Sequence, residues 1–165
     1  GVDVGAGYGL ASELIADKVE HLILVELDRN MAISAHRRLA DKPNISVVRA
    51  DACSLPIADE TADFVVFFDS LHHMSSADRA LEEAGRVLKP GGILAIYDFD
   101  GSKLSAKVMK LIERILRLQS NYFSEGELRS RLHKLGLIVI GVKRRWAGQL
   151  DLLALKPPIS RLDSP

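Results

Sequence analysis

Three glycines near the start of the chain have the spacing of a ligand-binding loop. Gly5, Gly7 and Gly9 lie between a short apolar segment and a helical pattern that begins at Leu10. Glycine lets the backbone turn tightly and lets a ligand approach it closely. The amide groups at the start of the next helix favour an anionic group, such as a pyrophosphate or an amino-acid carboxylate. The alternative interpretation of the three glycines is a plain tight turn.

The residues around the glycines distinguish between two kinds of ligand. A dinucleotide fingerprint, G-x-G-x-x-G, would need a glycine at Leu10. The segment instead reads Asp3-Val4-Gly5-Ala6-Gly7-Tyr8-Gly9. The carboxylate of Asp3 would repel a pyrophosphate, but it could pair with the ammonium group of a methionine moiety, directly or through water. The loop therefore favours a ligand that carries a methionine moiety.

An acidic residue follows the next apolar run. Glu26 stands seventeen residues after Gly9, at the end of residues 22–25. In nucleotide-binding α/β folds an acid at this position accepts hydrogen bonds from the ribose hydroxyls. Because Glu26 lies in an apolar run, we expect it to have a polar partner. Asp28 competes for the ribose role, but its position before Met31 favours an N-cap of the next helix.

Polar residues after the fourth apolar run are candidates for acid–base chemistry. They are Asp69, His72 and His73, and histidine titrates near neutral pH. The alternative for one of the histidines is a capping or packing role in the loop. Tyr97 and Asp98 end the fifth run and could face a substrate. We predict no metal site, because adjacent histidines point in different directions and no third or fourth ligand is evident.

Basic residues concentrate in the last third of the chain. They are Arg129, Arg131, His133 and Lys134, followed by Lys143, Arg144, Arg145 and the aromatic Trp146. Such a surface could contact RNA phosphates and stack a base. However, 22 basic and 22 acidic side chains give a net charge of +0, which favours a solvated surface without a global field for nucleic acid.

The segments that carry these residues alternate between strand and helix patterns. Short apolar runs typical of buried parallel strands are separated by amphipathic segments. This alternation predicts an α/β fold with a doubly wound, mostly parallel sheet, which binds ligands at the carboxyl ends of its strands. Ser75 with Asp78, and Ser124 with Glu127, predict helix starts. Residues 90–92, Pro-Gly-Gly, predict a helix stop, and the last two strands should form a hairpin.

The length and composition predict one globular domain. The 165 residues suit a domain over 1–156 with an irregular tail over 157–165. Apolar residues between Leu104 and Leu118 predict a further helix. The single cysteine, Cys53, excludes a disulfide framework within the chain and argues against a cysteine-rich zinc site. No apolar run is long enough to span a bilayer and no secretory signal is visible, so we expect a cytoplasmic protein.

Five motifs in this order resemble the class I S-adenosylmethionine-dependent methyltransferases, most of all the small-molecule branch with quinone and sterol methyltransferases. The motifs are DVGAGYG, LVELD, RADACSLPIADETADFVV, FFDSLHHM and RVLKPGGILAIYD. The resemblance runs from Asp3 to about Leu155. It implies a Rossmann-like sheet of order 3-2-1-4-5-7-6 with the last strand antiparallel. Helices that usually precede the first strand and cover the substrate pocket are absent from this sequence, so we expect a fragment, a processed form or a minimal variant.

The resemblance also implies S-adenosylmethionine as the cofactor and assigns its contacts. Asp51 would accept from the adenine amino group, although alone it would be interpreted as a turn residue. Asp69 would line the methionine end, and His73 is the histidine expected to pack the loop. The implied cofactor-binding residues are Asp3, Gly5, Ala6, Gly7, Tyr8, Gly9, Glu26, Leu27, Asp51, Ala52 and Asp69.

Together these observations and the resemblance predict a methyltransferase that acts on a small molecule. Two alternatives stay open: an RNA or protein methyltransferase, and a module or scaffold subunit that holds the cofactor without catalysis. A catalytic base is needed only when the acceptor must lose a proton. Asp69, His72 and His73 are therefore candidates for catalysis rather than assigned catalytic residues.

Overall fold

The computed structural model describes residues 1–103, 120–145 and 148–158. Three parts of the sequence analysis lie outside these residues. They are the helix predicted between Leu104 and Leu118, the aromatic Trp146, and the tail from residue 159 onward. Short 3-10 turns cover Ala16–Lys18 and Leu71–His73. The main elements are β1 Val2–Val4, α1 Leu10–Ile15, β2 Leu22–Glu26, α2 Arg29–Arg38, β3 Ile45–Arg49, β4 Ala62–Phe68, α3 Ala77–Val87, β5 Leu88–Phe99, α4 Glu125–Lys134, β6 Ile138–Arg144 and β7 Gln149–Leu155.

The strands of the described residues form one seven-stranded sheet of order β3-β2-β1-β4-β5-β7-β6. Strands β1 to β5 pair in parallel, whereas β7 runs antiparallel to both β5 and β6. The predicted strand order, the antiparallel last strand and the hairpin are confirmed. Because the first five strands are parallel, the polar residues that follow β1, β2, β3, β4 and β5 all lie at the same edge of the sheet.

Helices pack on both faces of the sheet and bury its apolar side chains. On one face, Leu24 packs with Ala35 and Leu39 of the α2 region. On the other face, Phe67 and Leu81 belong to a larger cluster that also includes residues of α4. Both Phe67 and Leu81 are 0% exposed, and burying a side chain of this size contributes about 1.5–3 kcal/mol. The packed sheet gives the loops at its carboxyl edge a rigid base.

Two predicted helix boundaries were wrong by a few residues. The cap of α3 is Ser76 rather than Ser75, and the Ser76 hydroxyl accepts from the Arg79 amide. Helix α3 ends at Val87, and β5 begins before the Pro-Gly-Gly turn, which sits inside that strand at an irregular register with β4. The capping box of Ser124 with Glu127, the third residue of the helix, is confirmed. Within the described ranges, no helix is long and apolar enough to cross a membrane.

Candidate active site at the carboxyl edge of the sheet

The glycine loop leaves β1 in a conformation that only glycine adopts easily. Gly5, Gly7 and Gly9 have φ angles of 74, 56 and 76°, in the left-handed region. The amides of Gly5 and Ala6 both donate to the Val25 carbonyl, which ties the loop to β2. A Cβ added at Gly5 would lie 2.7 Å from a Ser70 carbon, whereas one at Gly7 would meet no atom within 4 Å among residues 1–103, 120–145 and 148–158. The Gly7 position therefore opens on space that a ligand can enter.

Asp3 lies buried beneath this loop with half of its carboxylate unsatisfied. Its side chain is 1% exposed, and its Oδ2 accepts from the Ser12 hydroxyl at 2.5 Å. Its Oδ1 is fully buried and has no hydrogen-bond partner among the described residues. Burial raises the pKa of Asp3 from 3.8 to about 6. The hydrogen bond from Ser12 lowers this pKa, and the nearby charge of Glu26 raises it further. An incoming cation would satisfy the free oxygen and favour the ionised acid.

Glu26 connects the end of β2 to the glycine loop. Its Oε2 accepts from the Gly7 amide and its Oε1 accepts from the Asp28 amide, each at 2.8 Å. These two bonds supply the polar partners expected for an acid in an apolar run, since Glu26 is only 9% exposed. Asp28 instead caps α2, because its carboxylate accepts from the amides of Asn30 and Met31. The N-cap interpretation of Asp28 is thus confirmed by its geometry.

The end of β3 brings Asp51 beside Glu26. The Ala50 amide donates to the Glu26 carbonyl at 3.2 Å, so the next residue stands at the same edge of the sheet. Asp51 is exposed, and its Oδ1 accepts from the Cys53 amide at 2.8 Å in a tight turn. Ala52 beside it is buried, at 6% exposure. Of the other predicted contact residues, Tyr8 and Leu27 are exposed.

The loop after β4 contacts both the glycine loop and β5. The Ser70 hydroxyl donates to the Val4 carbonyl at 2.7 Å, directly before the first glycine. The Asp69 amide donates to the Tyr97 carbonyl at 2.7 Å, and Asp69 has a φ of 51°, which is unusual for a residue other than glycine. The side chain of Asp69 is exposed. Asp69 therefore stands where the glycine loop and the end of β5 meet.

The two histidines after β4 differ from the sequence-based expectation. His72 is 3% exposed and packs in the loop, whereas His73, expected to be the packing residue, is exposed. The ring of His72 shares a 2.7 Å hydrogen bond between its Nδ1 and an oxygen of Asp98. Asp98 was a candidate to face a substrate, but it is 7% exposed and its carboxylate is bonded to His72. Tyr97 is half-buried and stays a candidate for contact with a substrate.

The premise that no third metal ligand is present was wrong. Ligand atoms of Asp69, His72 and Asp98 all lie within 4.8 Å of one another. The hydrogen bond between His72 and Asp98 accounts for that pair without an ion. The expected absence of a metal stays a prediction. The predicted strand order already placed the ends of β4 and β5 side by side, but the pairing was missed because the sequence does not show the register of the two strands or the direction of each side chain. An acid at the end of an apolar strand, as at Glu26, was the pattern that could have indicated it.

The arginines of the two basic clusters are neutralised by acids on the same surface. All four predicted arginine contacts for RNA take part in ion pairs with N···O distances of 2.5–2.8 Å. The pairs are Arg129 with Glu125, Arg131 with Asp78, Arg144 with Glu125, and Arg145 with Asp151. Arg131 also lies over the ring of Phe123. This arrangement is typical of a solvated surface rather than of a phosphate-binding patch.

The sheet order, the glycine loop after β1 and the acid at the end of β2 define a class of protein. It is the Rossmann-like α/β class, which binds nucleotide-like ligands at the carboxyl edge of the sheet. The Methyltransferase domain family matches residues 2–96, which is more than half of the chain, and the chain belongs to this family.

Relatives and solved structures agree with this family. The chain is 34% identical over 98 residues to a demethylmenaquinone methyltransferase of Clavibacter sepedonicus, a match over 59% of this chain and 40% of that protein. It is 34% identical over 104 residues to the ubiquinone/menaquinone biosynthesis C-methyltransferase UbiE of Shewanella baltica (strain OS155), covering 61% of this chain and 40% of that protein. The matched part thus spans about 40% of the length of these curated relatives.

The fold is also shared with methyltransferases of known structure. A SAM-dependent methyltransferase from Methanosarcina mazei superposes with a TM-score of 0.78 at 20% identity, covering 95% of this chain and 92% of that one. A SAM-dependent methyltransferase from Aquifex aeolicus gives a TM-score of 0.77 at 22% identity, covering 94% and 80%. At these identities the likeness is one of fold.

Proposed function

We propose that residues 1–156 form a methyltransferase domain that uses S-adenosylmethionine and methylates a small molecule. The observation that carries this proposal is the buried Asp3 beneath the glycine loop, with one carboxylate oxygen that has no hydrogen-bond partner in the part of the chain that the structure describes. A pyrophosphate at this loop would meet a like charge, whereas S-adenosylmethionine brings an ammonium group. When bound, S-adenosylmethionine supplies an electrophilic methyl group on a sulfonium, which an acceptor atom displaces in line.

The residues at the carboxyl edge fit this cofactor from one end to the other. The open space at Gly7 receives the methionine portion, and Asp3 binds its ammonium group directly or through water. Asp69 borders the same end. Glu26 accepts from the ribose hydroxyls, and Asp51 accepts from the adenine amino group. The full set consists of Asp3, Gly5, Ala6, Gly7, Tyr8, Gly9, Glu26, Leu27, Asp51, Ala52 and Asp69.

Glu26 keeps the capacity to bind ribose although both of its oxygens already accept backbone amides. A carboxylate offers about four lone-pair positions, and the two amide bonds use two of them. The amide bonds also fix the carboxylate in one orientation before a ligand arrives. A pre-oriented acceptor loses less conformational freedom when the ribose binds.

Replacing Glu26 with alanine should weaken binding of S-adenosylmethionine by about 1–3 kcal/mol, the scale of a lost hydrogen bond to a charged group. Isothermal titration calorimetry measures the effect. Asp28→Ala is the matched control, because it removes a neighbouring carboxylate whose observed bonds cap α2. This control should lower the free energy of unfolding by about 1 kcal/mol and leave the affinity unchanged. The opposite result, with only Asp28→Ala weakened, would transfer the ribose role to Asp28.

Two features of the surface favour a small, apolar acceptor over RNA. Phe68 and Tyr97 are paired across β4 and β5 at the carboxyl edge, with ring centroids 5.4 Å apart, and Phe68 is 48% exposed. Exposed aromatic faces of this kind bind planar apolar groups. The arginines that could bind RNA are engaged in ion pairs. We infer that the acceptor belongs to the quinol class, in keeping with the names of the relatives.

Transfer of a labelled methyl group tests the proposed function. The chain is incubated with methyl-labelled S-adenosylmethionine and demethylmenaquinone, with and without dithionite, and the label is measured in the organic phase. Label in that phase supports the proposal. Label in a cell extract that nuclease or protease treatment releases would support an RNA or protein acceptor instead. Tight binding of the cofactor without transfer to any fraction would indicate a non-catalytic module, and a folded chain that does not bind it would refute the cofactor assignment.

A further inference from the structure

A buried histidine–aspartate pair joins the ends of β4 and β5. His72 makes two hydrogen bonds to one carboxylate: its ring Nδ1 lies 2.7 Å from Asp98 Oδ1, and its backbone amide donates to Asp98 Oδ2 at 3.2 Å. The Phe99 amide also donates to Asp98 Oδ1. His72 and Asp98 are 3% and 7% exposed. Burying such a pair costs desolvation energy, and apolar residues of the same size would fill this volume at lower cost.

The same histidine also holds the segment that precedes α4. Its carbonyl accepts from the Asn121 amide at 2.8 Å, and its ring stacks on Tyr122 with centroids 4.5 Å apart. Tyr122 in turn packs edge-on against Phe99. His72 is therefore a junction between the loop after β4, the end of β5 and residues 121–122. A change in the orientation of the His72 ring would therefore disturb the packing of all three segments.

Two exposed groups at the carboxyl edge are adjacent to this junction. The Asp69 carboxylate lies 4.0 Å from His72 Nδ1, and the ring of His73 lies 3.9 Å from the ring of His72, measured between centroids. Asp69 has a positive φ of 51°, a strained conformation for a residue other than glycine, and the surrounding contacts must offset that strain. The contacts of His72 are among those that hold this loop.

We propose that His72, oriented by Asp98, is a positioning residue for methyl transfer. It holds Asp69 and His73 at the point where the methyl donor and the acceptor meet. This inference rests on the proposed function. The pair itself stays below the surface, since both side chains are buried, and it acts through the two exposed groups. In this arrangement Asp98 fixes the orientation of the imidazole through its two bonds, and the imidazole fixes the loop.

Steady-state kinetics with reduced demethylmenaquinone as the acceptor separate this role from a structural one. His72→Ala should lower kcat about 10- to 100-fold, the scale of a misplacement of about 1 Å in an active site. The KM for the acceptor and the Kd for S-adenosylmethionine should stay within about threefold, because the variant leaves the glycine loop and Glu26 intact and Asp69 only borders the methionine end of the cofactor. His72→Asn keeps a side-chain N–H near the Nδ1 position and should recover most of the lost kcat. Asp98→Asn should behave like His72→Ala.

A control variant far from the site excludes a general loss of stability. The Asn44 side chain donates to the carbonyls of Ala16 and Val19 at the opposite edge of the sheet. Asn44→Ala should lower the thermal midpoint as much as His72→Ala does but leave kcat unchanged. A fall in kcat for Asn44→Ala of the same size would overturn the proposal, because turnover would then follow stability alone.

Three further results would also overturn the proposal. Wild-type kcat in His72→Ala would refute it directly. If His72→Ala lowers the cofactor affinity in parallel with kcat, His72 contributes to cofactor binding rather than to positioning. Turnover that needs added Mg²⁺ or Mn²⁺ and is abolished by EDTA would make Asp69, His72 and Asp98 a metal site. If the wild-type chain transfers no label to any acceptor, the proposed function is refuted, and the positioning role of His72 is refuted with it. Normal transfer by both wild type and His72→Ala refutes only the positioning role.

Discussion

A Gly7→Val variant is expected to keep the fold and lose S-adenosylmethionine. The φ of Gly7 is 56°, and a Cβ at this position meets no atom of the described residues within 4 Å, so these residues leave room for the side chain. That room is the space into which we expect the methionine portion to bind. Valine would fill it, and the positive φ adds about 1–3 kcal/mol of backbone strain. Calorimetry should show at least about a 100-fold loss of affinity, equal to about 3 kcal/mol.

Gly91→Val is the matched control for this prediction. Gly91 has a φ of 85°, and an added Cβ there also meets no atom within 4 Å in the described part of the chain, but it lies in the turn inside β5 at the far edge of the sheet. Both variants should lower the thermal midpoint by a similar amount because both force valine into the left-handed region. Only Gly7→Val should lose the cofactor. If both variants lose the same affinity, the loss results from lower stability rather than from a blocked cofactor site. If Gly7→Val binds the cofactor normally, the assignment of the glycine loop to the cofactor is wrong.

The alternation of strands and helices and the glycine loop were predictable because their information is local, whereas the strand order came from the resemblance to the methyltransferases. Apolar runs of strand length alternate with helical patterns, and the special residues stand directly after the runs. Asp28 was correctly predicted as an N-cap because capping depends on residues within one turn. The cap of α3 was placed one residue early, since Ser75 and Ser76 are adjacent and only the backbone geometry distinguishes them. Ser76 has the extended backbone typical of an N-cap, with a φ of −142° and a ψ of 101°, and its hydroxyl accepts from the Arg79 amide.

The pairing of polar residues was not predictable, because it depends on contacts between distant segments. The sequence indicated that Glu26 needs a partner, but one of its two partners is an amide nineteen residues away in the glycine loop. His72 and Asp98 are separated by twenty-six residues. They meet because β4 and β5 pair in the register that sets Phe68 opposite Tyr97. A shift of one residue in that register would turn Asp98 to the other face of the sheet.

Asp3 gives a prediction in which the stability and the cofactor affinity depend on pH with opposite signs. Its pKa in the folded chain is about 6, above the ordinary value of 3.8. For an acid shifted upward, the neutral form favours the folded state, so the free energy of unfolding should fall as the pH rises from about 4 to about 6. The affinity should change in the other direction, because the ammonium group of S-adenosylmethionine needs the ionised carboxylate. Below pH 6 we expect it to weaken by about tenfold per pH unit.

Asp3→Asn tests both halves of this prediction. At pH 7.5 we expect about a 10- to 100-fold loss of affinity, the scale of a lost hydrogen bond to a charged group. The remaining affinity should not change between pH 5 and 7, and the dependence of the unfolding free energy on pH should flatten over the range of pH 4 to 6. Calorimetric titrations and urea denaturation at a series of pH values measure the two effects.

Ser12→Ala and a truncated ligand separate the charge of Asp3 from its packing. The Ser12 hydroxyl lowers the pKa of Asp3, so its removal should shift the midpoint of the affinity curve above pH 6 without abolishing binding. 5′-Methylthioadenosine lacks the amino-acid portion, and its affinity should be insensitive both to pH in this range and to Asp3→Asn. If Asp3→Asn weakens 5′-methylthioadenosine as much as S-adenosylmethionine, the carboxylate acts by supporting the loop rather than by binding the ammonium group. Asp3 would then have no direct part in choosing a methionine-bearing ligand.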